Sequence, residues 1–467
     1  MVSNERQWSQ EIFGSCVLGD PRRTRRLVDV AARMAKQVGS SIAQCCEGSA
    51  AALVGSYRLM RNAQVEVEAI REGGLASVAD AAQAQSGVLL ALEDTTSISY
   101  AHAASADLGA TGSQRDSKQR GFQVHSVLLL AAEGDRTLGL IEQRHWIREK
   151  ARFGQKHARK QRMYQDKESY KWEQASRRMA ARLGAAMSRT ISVCDRESDV
   201  YDYLAYKRDH DQRFVLRARA DRCIEESTQH LFDAVQTQAQ ALGEYTVTVA
   251  QRGGRRAREA TLSLRSMRAD IKAPATHTGA ASLSINVVLA CETNPPEGVE
   301  GLRWVLLTTE PVDDADQART VMRYYERRWR IEDYHKAWKS GVGVERQRFQ
   351  SSENLQRMLV ITAFLAVRLL QVREHLQSPE DQSSQAPCEP ALSREEWHVL
   401  WLSREKKPLP KSPPGLRWAC LALARLGGFA DTKRTGRPGW DALWRGWERL
   451  QQRVEGYHLA QEMIPKL

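Results

Sequence analysis

The chain is short of several things, and each shortage removes a class of protein. Its eight cysteines, Cys16, Cys45, Cys46, Cys194, Cys223, Cys291, Cys388 and Cys420, are scattered over 467 residues without a CxxC pair. That spacing suggests neither a zinc ribbon nor a redox motif. The expectation is small buried groups or indifferent surface thiols in a reducing cytoplasm. No run of about 18 apolar residues stands out, so no membrane span is expected. The opening MVSNERQWSQEIFGS is polar and charged, which argues against a signal peptide. No convincing internal repeat is present.

Acidic charge is also in short supply. There are 57 Asp and Glu against 69 Lys and Arg, a net charge of +12. Such an excess favours an anionic partner, most commonly nucleic acid. A chain of 467 residues is too long for one ordinary core, so two to four domains are expected. Apolar content of 42% with 7% aromatics suits a globular chain.

Residues 8–62 read as helical. Asp20 and Pro21 supply an N-cap and a first-turn proline. The helix that follows, from Arg22 to about Lys36, carries Arg22, Arg23, Arg25, Arg26, Arg33 and Lys36 opposite an apolar stripe of Leu27, Val30, Ala31 and Met34. A plain solvated face and a nucleic-acid contact both fit that pattern. From Gly87 the run GVLLALED reads as a buried strand ending in two acids, Glu93 and Asp94. Strands follow at 123–130 and 137–143 around an AEGDR turn. Residues 147–172 read as a basic surface excursion, and 173–187 as a helix. The strand Thr190–Asp195 ends in an acid before a helix at 198–208, and 214–219 is a further strand.

Residues 222–310 alternate Thr, Ser and Val and read as β-rich, with a cationic turn at 251–258. Helix returns from about 315 to 376. Residues 378–390 read as a linker, and 405–414 as a basic, proline-rich connection. The segment 416–463 is helical. Its Trp440, Trp444 and Trp447 form a stripe that fits either a core or a dimer face.

Tyr325, Arg328, Glu332 and Lys339 are separated by three, four and seven residues. At roughly 100° per residue they share a helical arc of about 60°. One face then offers a phenol, a guanidinium, a carboxylate and an ammonium, a set suited to a phosphodiester. Mixed charge on a solvated helix is the plain alternative. Asp94 and Asp195 sit at the C-terminal ends of expected strands, where neighbouring strands open a crevice. Two strand carboxylates and Glu332 can hold two Mg²⁺ ions about 4 Å apart. Asp94 as a turn residue, Asp195 as an N-cap and a paired-carboxylate glycosidase are the rivals. The last leaves the cationic helix face unexplained.

These stretches resemble a known family. Glu93-Asp94-Thr95-Thr96-Ser97, Cys194-Asp195-Arg196-Glu197-Ser198-Asp199 and Tyr325…Arg328…Glu332…Lys339 are similar to motifs of the DDE transposases of the insertion-sequence-four family. The last is that family's YREK signature, and the transposon-five branch is the nearest type. LGDPRRTRRL, WRIEDYHKAWKSGVGVERQR and ARLGGFADTKRTG extend the resemblance nearly end to end.

The resemblance implies an α/β fold with a ribonuclease-H-like catalytic core, a β-rich insertion and helical N- and C-terminal flanks. The domains would be 1–65 for binding transposon ends, 66–376 for catalysis with the insertion at about 222–310, and 377–467 for dimerisation. Asp94, Asp195 and Glu332 would be catalytic and bind two Mg²⁺, with Mn²⁺ able to substitute. Tyr325, Arg328 and Lys339 would hold DNA phosphates. Trp304 would receive a flipped base, with Arg217 near that pocket. Arg22, Arg23, Arg26 and Lys36 would read the transposon end, and His335, Lys336 and Arg348 would contact end DNA. The implied partners are double-stranded DNA, both ends and target, and a second copy of the chain, in a bacterial cytoplasm without a membrane. A non-catalytic inhibitor or repressor derived from such an enzyme, and a general nuclease of the same fold, are the alternatives. Gly121-Phe122-Gln123, Gln37, Ala50 and Ala52 depart from the nearest type, so a different end sequence is expected.

Overall fold

The structure is a computed structural model. It describes residues 4–464 apart from 103–104, 112–118, 149–161, 226, 250–256, 377–385, 390 and 433–437, and it leaves aside the Trp440 side chain. Half of the basic excursion, most of the cationic turn and most of the expected linker therefore lie outside the described residues.

Four helices open the chain: α1 (Glu5–Phe13), α2 (Pro21–Lys36), α3 (Ile42–Cys45) and α4 (Ala50–Arg61). The Asp20 carboxylate accepts from the Arg22 amide at 2.8 Å, and Pro21 takes the first helical position. That satisfies one of the amides a helix start leaves unpaired. Helix α5 (Val67–Gln83) has no counterpart in the sequence expectation. Gly73 and Gly74 weaken its pattern, and packing explains them. A Cβ on Gly74 would meet the Phe364 ring at 2.3 Å, and one on Gly73 would meet the Cys16 sulfur at 2.3 Å.

The strands are β1 (Leu89–Tyr100), β2 (Gly109–Ala110), β3 (Arg120–Ala131) and β4 (Arg136–Trp146). After α6 (Lys171–Leu183) come β5 (Thr190–Cys194), α7 (Tyr201–Asp209), β6 (Arg213–Arg217) and α8 (Leu231–Thr237). The series closes with β7 (Gln240–Val249), β8 (Arg258–Lys272), β9 (Ser282–Glu292) and β10 (Arg303–Thr308). All ten form one sheet in the order β2-β3-β1-β5-β6-β10-β9-β8-β7, with β4 on β3. Strands β1, β5 and β6 run parallel. Strands β7 to β10 pair antiparallel and join the sheet through β10 on β6. The β-rich stretch is thus an extension of the core sheet. It covers what would otherwise be a bare edge on β6.

The expected strand end at Asp94 needs correction, because β1 continues to Tyr100. What stops near Asp94 is the pairing with β5, whose last partners are Glu93 and Cys194. The single helix expected across Tyr325–Lys339 is also broken. Helix α9 (Ala315–Glu326) ends, α10 (Trp329–Lys336) restarts, and Ala337–Gly341 forms a π-helical turn. At the break, three-residue hydrogen bonds link Arg328 to Tyr325 and Arg330 to Arg327. Helices α11 (Ser352–Leu376), α12 (Arg394–Glu405), α13 (Leu416–Leu426) and α14 (Trp440–Met463) complete the chain.

The chain divides into two compact units. One comprises Met1–Ser77, Ile98–Leu108 and Asp333–Leu467. Its centre is α11, which is long and apolar enough to cross a membrane but is 83% buried over its most apolar window. Arg357 on α11 donates to the carbonyls of Val65 and Met60 at 2.6 and 3.0 Å, and Phe364 meets Phe13 edge-on at 5.5 Å. These contacts mark α11 as a core helix. A second cluster joins α12, α13 and α14 through Trp397, Leu400, Leu416, Leu423 and Leu450, and includes the fully buried Cys388 from the end of the expected linker. Trp447 packs on this cluster and Trp444 approaches Gly39, so those two members of the tryptophan stripe face inward. The apolar side chains that α14 leaves exposed lie beyond them, at Tyr457, Leu459 and Met463.

The other unit comprises Val78–Ser97 and Gly109–Glu332. Its sheet is packed by one cluster around Tyr203, Leu204, Phe214, Leu231, Ile285 and Leu307, and by another around Val78, Leu129, Ile141, Met179 and Leu183. All three acids of interest lie in this unit.

Candidate active site

Parallel pairing decides where the two aspartates stand. Glu93 opposes Cys194 in the β1–β5 register, so Asp94 and Asp195 follow as the next residues of adjacent strands. Neighbouring strands lie about 4.8 Å apart. Alternation sends Glu93 to the opposite face, where it is fully buried near His125, with a nitrogen–oxygen distance of 3.6 Å. The Asp94 carboxylate accepts from the Thr95 amide at 2.8 Å. Asp195 accepts from the Glu197 amide at 2.8 Å and caps the short turn Arg196–Ser198. Capping and a role in the site therefore coexist at Asp195.

Burial pushes the Asp195 carboxyl above the ordinary range, and the like charges of Asp94 and Glu197 add to the rise. The Glu197 amide and the Arg328 guanidinium oppose it without overcoming it. Two carboxylates crowded together are a site prepared for positive charge.

Arg328 supplies part of that charge. Its guanidinium donates to Glu332 at 3.0 Å and lies 5.9 Å from the Tyr325 ring centroid and 4.8 Å from that of Trp329. Burial disfavours its charge, but Tyr325, Glu332 and Asp94 outweigh this and raise its pKa. Its Nε is buried without a hydrogen-bond partner, a donor left for an incoming oxygen. Tyr325 is buried, which raises its phenol and keeps it a neutral donor, although Arg328 and Arg217 pull the other way. Arg217 donates to the Arg303 carbonyl at 2.9 Å. Trp304, half-buried on β10, meets Tyr325 edge-on at 5.7 Å between ring centroids.

The fold therefore links Asp94, Asp195, Glu332, Arg328, Tyr325, Arg217 and Trp304. It also adds Trp329, 47% exposed under Arg328, which the sequence reading passed over. An aromatic between two arginines in ERRWRIE was the available signal.

Lys339 lies in the π turn, and His335, Lys336 and Arg348 lie beyond Glu332 in the other unit. There His335 is buried, Lys336 pairs with Asp441 at 3.2 Å, and Arg348 is exposed. On α2, Arg22 pairs with Asp20 at 2.8 Å, Arg26 with Asp29 at 3.2 Å, and Arg23 with the Leu18 carbonyl and Gln64. Lys36 is exposed at the rim of a cavity of about 350 Å³ between α2, α11 and the C-terminal helices.

Magnesium prefers carboxylate and phosphate oxygens and keeps much of its water. Asp94 and Asp195 suit it chemically. Glu332 is engaged by Arg328, and among the described residues no three His, Cys, Asp or Glu are grouped closely enough to hold an ion. The oxygen chemistry of these donors suits the ion, although they are not gathered around one point.

Three protein-family models match the chain. Transposase DNA-binding matches residues 5–65, Transposase DDE domain matches 172–368, and Transposase Tn5 dimerisation domain matches 381–464. Asp195 and Glu332 fall inside the DDE match, and Asp94 lies upstream of it. The DDE match implies a ribonuclease-H-like core for the mixed sheet. Together the three support a DNA transposase that binds DNA and dimerises.

Proposed function

We propose that this chain cuts a transposon at its inverted ends and joins the freed 3′ ends to target DNA, with Asp94, Asp195 and Glu332 as one catalytic centre. The observation that carries the reading is the β1–β5 register, which sets Asp94 beside Asp195, together with Arg328 bridging towards Glu332. The three acids would hold two Mg²⁺, or Mn²⁺ in their place. A divalent ion there supplies Lewis-acid stabilisation of charge on the phosphoryl oxygens.

The side chains do the rest. Arg328, through its unpartnered Nε, and the neutral Tyr325 hydroxyl orient a phosphate, and Lys339 adds a point charge. In the first step a water oxygen bonds to phosphorus and the 3′ oxygen leaves as a hydroxyl. That 3′ oxygen bonds to a phosphorus of the opposite strand, whose flanking 3′ oxygen leaves as a hydroxyl, to give a hairpin. A second water bonds to the same phosphorus and expels the 3′ oxygen as a hydroxyl again. This 3′ oxygen then bonds to a target phosphorus as the target's 3′ oxygen leaves. Trp304 receives a base extruded when the strand bends into the hairpin, with Arg217 beside it. Arg22, Arg23, Arg26 and Lys36 contact the ends. His335, Lys336 and Arg348 contact end DNA near the catalytic helix. The protein works in the bacterial cytoplasm as a homodimer on paired ends.

One second reading, a DNA-binding inhibitor or repressor derived from a transposase, is favoured by the lack, among the described residues, of three acids grouped closely enough to hold an ion. Incubation of the protein with supercoiled DNA carrying its own ends and Mg²⁺ separates the two. The enzyme releases the intervening fragment, whereas an inhibitor binds the ends and leaves the DNA closed. Cleavage at unrelated sequences would point instead to a general nuclease.

A further inference from the structure

The break between α9 and α10 sets the direction of Arg328 and Glu332, and periodicity alone does not produce it. Two contacts from distant parts of the same unit hold it. The first comes from the turn between β3 and β4. Asp135, at φ 51° after Gly134 at φ 72°, turns its carboxylate towards the break. One oxygen accepts from Arg327 Nε at 2.9 Å and the other from Arg330 Nη2 at 2.6 Å, while its backbone carbonyl accepts from Arg330 Nη1 at 3.2 Å. Arg327 also donates to the Arg323 carbonyl at 2.9 Å, so the last turn of α9 is tied into the same knot. The second contact is Tyr245 on β7, whose hydroxyl donates to Glu326 at 3.1 Å.

The turn that carries Asp135 is itself anchored. The Ala132 amide donates to the Val88 carbonyl at 2.9 Å, at the entry to β1. Strand β1 carries Asp94, and β3 is its neighbour in the sheet. A single carboxylate thus joins the strand pair that presents one acid to the helix that presents another. The Asp135 side chain is 44% exposed, and exposed ion pairs add little to stability. A contact of that kind matters through geometry, since small displacements of reacting groups cost far more in rate than in folding.

We propose that Asp135 is a positioning residue that holds the α9–α10 junction, and through it Glu332, in register with Asp94 and Asp195. This rests on the reading of Glu332 given above. Alanine at 135 would confound the test, because its left-handed backbone favours Gly, Asn or Asp. Asp135→Gly keeps that backbone and removes the carboxylate, and Asp135→Asn restores one acceptor oxygen.

Single-turnover nicking of end DNA should slow about tenfold to a hundredfold in Asp135→Gly and less in Asp135→Asn. End-binding affinity and Tm should stay at the parental values. Hydrogen exchange at amides 327–332 should quicken, and Arg330→Met should add nothing to Asp135→Gly in a double-mutant cycle. Parental nicking by Asp135→Gly beside an inactive Glu332→Ala would overturn the clamp alone. Parental nicking by Glu332→Ala would overturn the reading of the site. A parallel loss of Tm, binding and nicking in Asp135→Gly would make Asp135 a folding residue and overturn the proposal.

Discussion

Helices α13 and α14 meet backbone to backbone in the region matched by the dimerisation model, and Gly446→Ala tests that joint. A Cβ at Gly446 would stand 1.9 Å from the Leu423 carbonyl oxygen, where real Cβ atoms essentially never come under 3.0 Å. Gly427 faces the same joint from the other helix, since its Cβ would stand 1.8 Å from the Ala442 carbonyl oxygen. The obstruction in both cases is backbone, which cannot swing aside as a side chain would. The helices must therefore part by about 1 Å along their contact, opening the packing of Leu423, Leu443 and Leu450. Overpacking of this kind costs typically 1–3 kcal/mol, and backbone obstruction puts the cost near about 3. At about 2–4 °C per kcal/mol for a unit of this size, Tm should fall by roughly 6–12 °C. Thermal unfolding gives that number, and a gel shift with end DNA shows whether paired-end complexes are lost while single-end binding survives. An unchanged Tm with normal paired complexes would refute the close approach of the two helices.

Three further outcomes follow from the geometry. Trp304→Ala should accumulate nicked DNA and slow hairpin formation by about one to two powers of ten, since base–aromatic stacking is worth roughly 1–3 kcal/mol; an equal fall in nicking on a strand-resolving gel would make Trp304 purely a packing residue beside Tyr325. Burial and Asp94 raise the folded-state pKa of Asp195, so this group stabilises the fold in acid and loses that contribution as pH rises through its folded pKa. Asp195→Asn should therefore raise the metal-free Tm at pH 7, with the gain shrinking as pH falls through the carboxylate range, and a lowered Tm at pH 7 would contradict the crowding of the two acids. Leu459→Glu with Met463→Glu, on the exposed end of α14, should weaken self-association in sedimentation while leaving Tm unchanged, and an undisturbed dimer would move the interface elsewhere.

The parts of this fold that were legible in sequence are those written in local chemistry. The Asp20–Pro21 start of α2, the AEGDR turn and the acid after β5 all depend on neighbours within a few residues. Tertiary contacts decided the rest. Periodicity runs through Tyr325–Lys339 without interruption, yet the chain breaks at Arg327–Arg328, beside contacts of Arg327 with Asp135 and of Glu326 with Tyr245 that lie far away in sequence. Asp94 read as a strand end because of its polarity, and the strand in fact continues to Tyr100. The β-rich stretch carries no local mark that its last strand would pair with β6. Helix α12 was within reach, because Ser393 and Glu396 form a capping box ahead of an apolar run, but it lay hidden between two polar connections. The grouping of Asp94, Asp195 and Glu332 was suggested by spacing and resemblance. The Arg328–Glu332 bond, and the lack among the described residues of three acids grouped closely enough to hold an ion, were visible only in three dimensions.

The central claim is that three carboxylates form one metal-dependent centre. It is tested most directly by single-turnover cleavage of transposon-end DNA by Asp94→Ala, Asp195→Ala and Glu332→Ala, each with Mg²⁺ and with chelator, beside a gel shift for end binding. The account predicts that each variant binds ends as the parent does and that none cuts, while chelator silences the parent. Parental cleavage by any one of the three, or cleavage that persists without a divalent ion, would contradict it.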